Sequence, residues 1–254
     1  MKTSLKKSAE EDNADAKDTP VLDAEALAHL EGGCEVVESS SMTLALGNVS
    51  GEISKKDLII PRLNIIQNTG TLADEFDHKE GGSLCYNGQT ILAKAGEPIN
   101  LTVLSLKKSY EEWIYPYDPD ARAQVFDSER ELADAGMWTD WRNNERPPAR
   151  ELAVALVLIE KPEGIDDLGF SHEINGKEHA LAMWTLRGSG YNHGAKKMFS
   201  ASSLELASSG LLSGRWELAT AKETKRNNTY FVPAMRLIGK NTDEFVNAVK
   251  ERLS

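Results

Sequence analysis

The apolar positions divide the chain near residue 55. Residues 1–20 hold almost no large apolar side chains, and a segment with so little to bury cannot offset the entropy of ordering it. Asp23–Leu30 (DAEALAHL) has helix formers behind an Asp cap and predicts a short helix. Glu31–Ser50, with Gly32-Gly33, a serine cluster and Gly47, reads as linker. Residues 1–54 are therefore expected to form a disordered acidic segment and linker, and 55–254 a single β-rich globular domain.

Beyond that boundary the dominant period is two. Leu58–Gln67 (LIIPRLNIIQ) gives two apolar triplets broken by Pro61, which belongs on a sheet edge or at a strand start. Leu84–Leu92 contains Asn87-Gly88, a two-residue hairpin signal, and Asn175-Gly176 is another. Ile99–Lys107 alternates as a half-buried strand does, and Glu151–Glu160 is a nearly continuous apolar run suited to a central strand. His179–Arg187 is a further strand, placing His172 and His179 where they can face each other across a hairpin. Arg215–Thr220 and Tyr230–Leu237 predict two strands around a polar turn, Lys222–Thr229. Trp138–Arg150 reads as irregular.

Helical spacing is confined to three places. These are Asp127–Ala135, Ala195–Ser208 with Met198, Ala201 and Leu204 along one face, and a terminal amphipathic helix at Asp243–Leu253. Crossover helices are too few for a doubly wound parallel sheet. The pattern predicts a mainly β (α+β) fold: an antiparallel OB-like barrel or curved sheet with an inserted helix and a C-terminal helix.

Composition changes this picture mainly through charge. The chain of 254 residues has a net charge of −11. Yet Arg187–Lys240 holds nine cations (Arg187, Lys196, Lys197, Arg215, Lys222, Lys225, Arg226, Arg236 and Lys240) against three carboxylates, Glu205, Glu217 and Glu223. Phosphates feel the local field more than the distant total at a screening length of about 8 Å. Tyr191, Phe199, Trp216, Tyr230 and Phe231 are interleaved with these cations. Cations that track phosphates and rings that stack on unpaired bases suit single-stranded nucleic acid. The candidate contacts are Arg187, Tyr191, Lys196, Lys197, Lys222, Lys225, Arg226 and Tyr230. Tyr191, in the glycine-rich corner Ser189–Gly194, is expected to keep an exposed ring, and Asn192 to cap the helix behind it, leaving backbone donors for a phosphate. Two further aromatic clusters lie beside cations: Trp113, Tyr115 and Tyr117 near Lys107-Lys108, and Trp138 and Trp141 near Arg142, Arg146 and Arg150. Core packing is the ordinary explanation for both.

Catalytic signatures are not found. There is no phosphate loop, Gly-x-Gly-x-x-Gly, Gly-x-Ser-x-Gly or His-Glu-x-x-His. Asp74, Asp77 and His78 form a loop that an ion could visit, but solvation explains them as well. No enzyme activity, metal or cofactor is expected. Two cysteines, Cys34 and Cys85, fit a reducing cytoplasm, and Met1–Lys17 has lysines without the apolar run of a secretory leader. No membrane association is expected.

The stretches Ile59-Ile60-Pro61-Arg62-Leu63, Gly81-Gly82 with Ile99–Leu106, Trp184–Gly188, and Trp216-Glu217-Leu218 with Tyr230–Pro233 resemble bacteriophage early proteins. Some of those are similar to phage single-stranded-DNA-binding proteins. The resemblance implies a non-enzymatic DNA-binding role in replication or recombination, in the cytoplasm of an infected bacterium, with oligomers possible. Such proteins often carry a C-terminal acidic tail that recruits partners, whereas here the acidic segment is N-terminal and would compete with DNA or engage replication or recombination proteins. Two other readings stay open: a phage structural or assembly protein, and an acidic inhibitor of a host nucleic-acid enzyme.

Overall fold

The computed structural model describes residues 60–69, 71–76, 80–115, 122–166, 168–169, 171–225 and 228–253. The expectations for residues 1–54 lie outside these, as do Asp77, His78, Tyr117 and Arg226. The strands are β1 (Leu63–Ile65), β2 (Leu84–Tyr86), β3 (Thr90–Ala93), β4 (Ile99–Glu112), β5 (Val125–Phe126), β6 (Ala149–Glu160), β7 (Ser171–Ile174), β8 (Lys177–Arg187), β9 (Gly214–Lys225) and β10 (Asn228–Lys240). The helices are α1 (Thr71–Glu75), α2 (Glu129–Asp134), α3 (Lys196–Leu204) and α4 (Asp243–Leu253), with a π turn at Tyr191–Ala195 leading into α3.

The mainly β, antiparallel expectation holds. Seven strands form one antiparallel sheet in the order β10-β9-β4-β6-β8-β7, with β5 on β4, and β1-β2-β3 form a small second sheet. The barrel does not close: β10 and β7 remain separate edges. The Asn-Gly signals are realised as left-handed pairs, Asn87 at φ 53° with Gly88 at 70°, and Asn175 at 51° with Gly176 at 75°. His172 and His179 are direct cross-strand partners.

One face of the large sheet carries the main core. On β6 and β8, small residues oppose large ones: Ala155 faces Trp184, Ala153 faces Leu186, Ala182 faces Val157 and Ala180 faces Ile159. All eight are nearly inaccessible. This alternation leaves room for Leu63, Leu84 and Leu92 of the small sheet and for Tyr191, Ala195 and Met198 before and within α3. The opposite face is covered by α4, which packs Phe245, Ala248 and Val249 against Leu104, Leu158 and Ile174. Alternation points Leu104 to that side, and a bulge between Val103 and Ser105 returns Leu106 to the main core.

The β9–β10 hairpin is longer than expected. Of the twelve residues of β9, only Arg215–Leu218 pair with β4. The remainder pairs only with β10 and leaves the sheet as a two-stranded arm. Lys222–Thr229 reads as a turn because it is polar, but Lys222 pairs with Phe231, Glu223 with Tyr230 and Thr224 with Thr229. An exposed ribbon needs cross-strand pairs rather than an apolar face. The small sheet seizes this arm. The Thr220 hydroxyl donates to Gly82 O at 2.5 Å and accepts from the Gly96 amide at 3.1 Å. The Gln67 side chain bonds both the amide and the carbonyl of Phe231, each at 2.9 Å.

These contacts also guard the β10 edge. Alternation points the backbone groups of residues 231, 233 and 235 outward, away from β9. Gln67 occupies those of Phe231, Pro233 has no amide hydrogen to offer, and Lys197 Nζ donates to Met235 O at 3.4 Å.

Gly82 tests the grip on the arm. Its φ is +90°, and an added Cβ would lie 2.6 Å from the Phe231 ring and 2.8 Å from Ala95 Cβ. Gly82→Ala is expected to lower stability by about 1–3 kcal/mol through strain and crowding, read as a shift in the urea midpoint. An unchanged midpoint would mean that the small sheet does not hold the arm.

Candidate nucleic-acid interface

The expected contacts fall into separate groups. Arg187, at the end of β8, is committed to an ion pair. Its Nε and Nη2 donate to Glu111 Oε2 and Oε1 at 2.7 and 2.8 Å. Arg150, directly opposite Glu111 on β6, donates to Oε2 from Nε at 3.0 Å and Nη2 at 2.8 Å. Glu111 is only 6% exposed. Burial alone would raise its pKa, but the two guanidinium groups outweigh it and hold the carboxyl below its ordinary value. One carboxylate shared by two arginines leaves one net positive charge here.

Tyr191 is a correction. The expectation was an exposed ring, but the residue is 4% exposed and belongs to the main core. Its hydroxyl donates to Glu151 Oε1 at 3.3 Å, and Lys108 Nζ lies 3.0 Å from the same oxygen. Burial, and then Glu151, raise the phenol's pKa. Burial would lower that of Lys108, but Glu151 and Tyr110 raise it. The expected cap at Asn192 is also replaced. The chain is already helical at Ser189, and the Asn192 amide donates to Gly188 O at 3.1 Å instead of awaiting a ligand. Strand alternation places Lys108 and Glu151 on one face and Glu111 and Arg150 on the other.

The remaining cations lie on the corner and the arm. Lys196, Lys197, Lys222 and Lys225 are exposed. None of them has an ion-pair partner within 4 Å among the described residues. Lys196 Nζ sits 5.7 Å from the Tyr191 ring centre. Tyr230 is half-buried on β10 and donates to Glu223 Oε2 at 3.0 Å, which pushes its own pKa up. The other oxygen of Glu223 lies 3.2 Å from His193 Nε2, so corner and arm touch.

The structure joins the two aromatic clusters. The chain leaves β4 through Trp113, whose amide donates to Pro148 O at 2.7 Å, and the Ala149 amide donates to Trp138 O at 3.2 Å. This docks the Trp138–Arg150 segment against the strand end. Within it, Asn143 (φ 49°) and Asn144 (φ 64°) form a tight reversal closed by an Arg142–Glu145 bridge. Arg146 is thereby set between two rings, its Cζ 3.8 Å from the centre of Trp113 and 3.9 Å from that of Tyr115. Arg142 lies over Trp138 at 4.9 Å. Arg146 Nε is buried and has no hydrogen-bond partner among the described residues. Tyr115 is 74% exposed and Trp141 65%. Trp113, Trp141 and Arg150 line one small cleft with Gly188, Tyr191 and Asn192 of the corner. The corner therefore borders the cleft on one side and the arm on the other.

The sequence named these rings but could not join them. The missed signal is Asn143-Asn144: asparagine tolerates positive φ, and two in a row between arginines mark a reversal. No group of three or more His, Cys, Asp or Glu residues that could hold a metal occurs among the described residues. No helix among them is long and apolar enough to cross a membrane. In comparisons with known proteins, no family model, curated protein or solved structure matches the chain.

Glu111 governs the geometry of the strand ends. Glu111→Gln is expected to cost about 2–4 kcal/mol at neutral pH, the lower part of the range for breaking a buried pair because both arginines are partly solvated. The folded pKa lies below the ordinary 4.5, so this stabilisation is complete above that value and is lost as pH falls through the folded one. Urea midpoints at pH 7 and pH 3 should differ more for the wild type than for the variant. Equal midpoints for the two proteins at pH 7 would contradict the assignment.

Proposed function

We propose that the protein binds single-stranded DNA without catalysing a reaction, in the replication or recombination of a bacteriophage. The observation that carries this reading is the arginine–aromatic cleft. Tyr115 and Trp141 present open ring surface beside Arg142, Arg146 and Arg150. A large ring held in water beside a guanidinium that no carboxylate neutralises, as Tyr115 is beside Arg146, gains little for folding, but it offers a stacking surface to a base and a charge to its phosphate.

The corner and the arm extend that surface. Lys196, Lys197, Lys222 and Lys225 supply phosphate contacts that release counterions, while Tyr115 and Trp141 take the stacking role first assigned to Tyr191. Single strands suit the rings better than duplex, whose bases are already stacked. The phage assignment draws on the resemblance of the β-strand motifs, and the DNA-binding assignment on the cleft.

Fluorescence anisotropy with labelled oligo-dT over a range of salt tests this reading. Replacing Lys196 and Lys197 by alanine should flatten the slope of log affinity against log salt by about 1 to 1.5, since each single-strand phosphate contact contributes roughly 0.7. An unchanged slope at full affinity removes the corner from the interface.

Stacking and packing are separated by a second pair of variants. Trp141→Ala should weaken oligo-dT binding by about 1–3 kcal/mol and leave the urea midpoint near the wild type. Tyr191→Ala should instead destabilise the fold by about 3–5 kcal/mol through a core cavity. Full affinity in both Trp141→Ala and Tyr115→Ala would overturn the reading.

A further inference from the structure

The cleft lies at the Glu112 end of β4. At the Ile99 end, beneath the start of α4, the fold forms another, half-open cavity of about 250 Å³. Its rim is fixed by Asn241, whose Nδ2 is shared among Thr102 Oγ1, Leu212 O and Gly214 O at 3.0, 3.0 and 3.2 Å. At its wall stands His179, only 5% exposed. The imidazole Nδ1 is 3.0 Å from the Lys177 carbonyl oxygen. A carbonyl only accepts, so Nδ1 carries the proton and Nε2 keeps a lone pair. Nε2 has no hydrogen-bond partner among the described residues. Phe245 holds its ring 5.4 Å from the imidazole and forms an apolar side of the cavity.

The mouth is positively charged. Lys177, Arg215 and Lys240 line it against a single carboxylate, Glu160. Lys177 pairs with Glu160 closely and Arg215 at 3.7 Å. Lys240 has no ion-pair partner within 4 Å among the described residues. An acceptor nitrogen on a histidine that lines the cavity, behind such a mouth, asks two things of an occupant: an anionic group, and a proton to donate. Burial reinforces the second demand, because it disfavours a charged imidazole.

We propose that this cavity binds a small phosphorylated molecule. Its phosphoryl oxygens lie on Lys240 and Arg215, and a P–OH or neighbouring hydroxyl donates to His179 Nε2. At neutral pH inorganic phosphate still keeps a P–OH, and a phosphate monoester, mostly dianionic above its second ionisation of about 6, offers a neighbouring hydroxyl instead. Sulfate has the same shape and charge but no proton left to give, so it discriminates this site from a merely cationic patch. The proposal does not depend on the nucleic-acid reading, whose residues lie elsewhere.

Isothermal titration of the full chain with sodium phosphate, sodium sulfate and dTMP at one ionic strength provides the test. Phosphate and dTMP should bind saturably, and sulfate about tenfold more weakly, the worth of one buried hydrogen bond. Lys240→Gln should weaken phosphate by about tenfold, whereas Lys94→Gln, an exposed lysine away from the cavity, should leave it unchanged. Tighter binding of dTMP than of phosphate assigns the Phe245 side to a nucleoside, and equal binding assigns the site to free phosphate. Sulfate binding as tightly as phosphate, undiminished affinity in Lys240→Gln, or no saturation by about 10 mM phosphate overturns the proposal. Imidazole ¹⁵N spectra of the wild type give a reading that needs no variant. Phosphate should shift the His179 Nε2 resonance, and a resonance unmoved by phosphate also overturns the proposal.

Discussion

The Glu111 carboxylate is the constraint on which the loops at the Glu112 end of β4 depend. It is nearly inaccessible and is shared by Arg150 of β6 and Arg187 of β8. A buried charge is tolerated only when its partners are well placed, and removing one partner costs far more than the pair contributes. The three central strands are thus held in register where their ends must support the loops above. Arg150 carries the constraint outward, because it also lines the cleft with Trp113 and Trp141. Arg187 was expected to be a free phosphate contact. It is instead part of the framework that leaves the neighbouring arginines available.

A second constraint acts on the opposite side of β4. After Leu218 the β9–β10 hairpin has no neighbour in the large sheet, and a lone two-stranded ribbon is marginal in water. The small sheet supplies the missing support through Thr220, Gln67 and the close approach of Gly82 to Phe231. Support and edge protection come from the same contacts, since Gln67 occupies backbone groups that another strand would use. The arm can then extend cations into solvent without offering an open edge.

Much of the fold was legible because its signals are local. Asn-Gly pairs set two hairpins, period-two alternation marked β4 and β8, and the spacing of Phe245, Val249 and Leu253 marked α4. The failures share a physical cause. Leu204 was placed on the apolar face of α3, yet it is 82% exposed, while Leu206 beyond the helix end is buried. Helical spacing does not say where the chain will turn. Tyr191 was read as exposed because glycines surround it, but Gly194 allows close packing: an added Cβ would lie 2.9 Å from Leu186 and 3.2 Å from Pro233. Here the glycine serves to bring the corner down onto the sheet, and the tyrosine is buried with it. The Arg146 sandwich requires rings some thirty residues away in sequence, and such convergence has no signature in spacing.

The charge distribution follows the same division between framework and surface. Counting basic residues between Arg187 and Lys240 treats them as equivalent, yet the fold assigns them to different tasks. Arg187, Arg215 and Arg236 face carboxylates on other strands of the large sheet. The lysines of the corner and the arm do not. This partition suits the chemistry of the two side chains. The planar guanidinium holds a carboxylate through two bonds in a fixed geometry, whereas the hydrated ammonium on a flexible stem follows a mobile polyanion at little cost in order. Arg142 and Arg146 depart from the partition, since rings rather than carboxylates hold them, and a guanidinium stacked on a ring keeps its full charge. That retained charge, set beside two open rings, is why the cleft rather than the basic count is the better guide to what an acidic chain can bind.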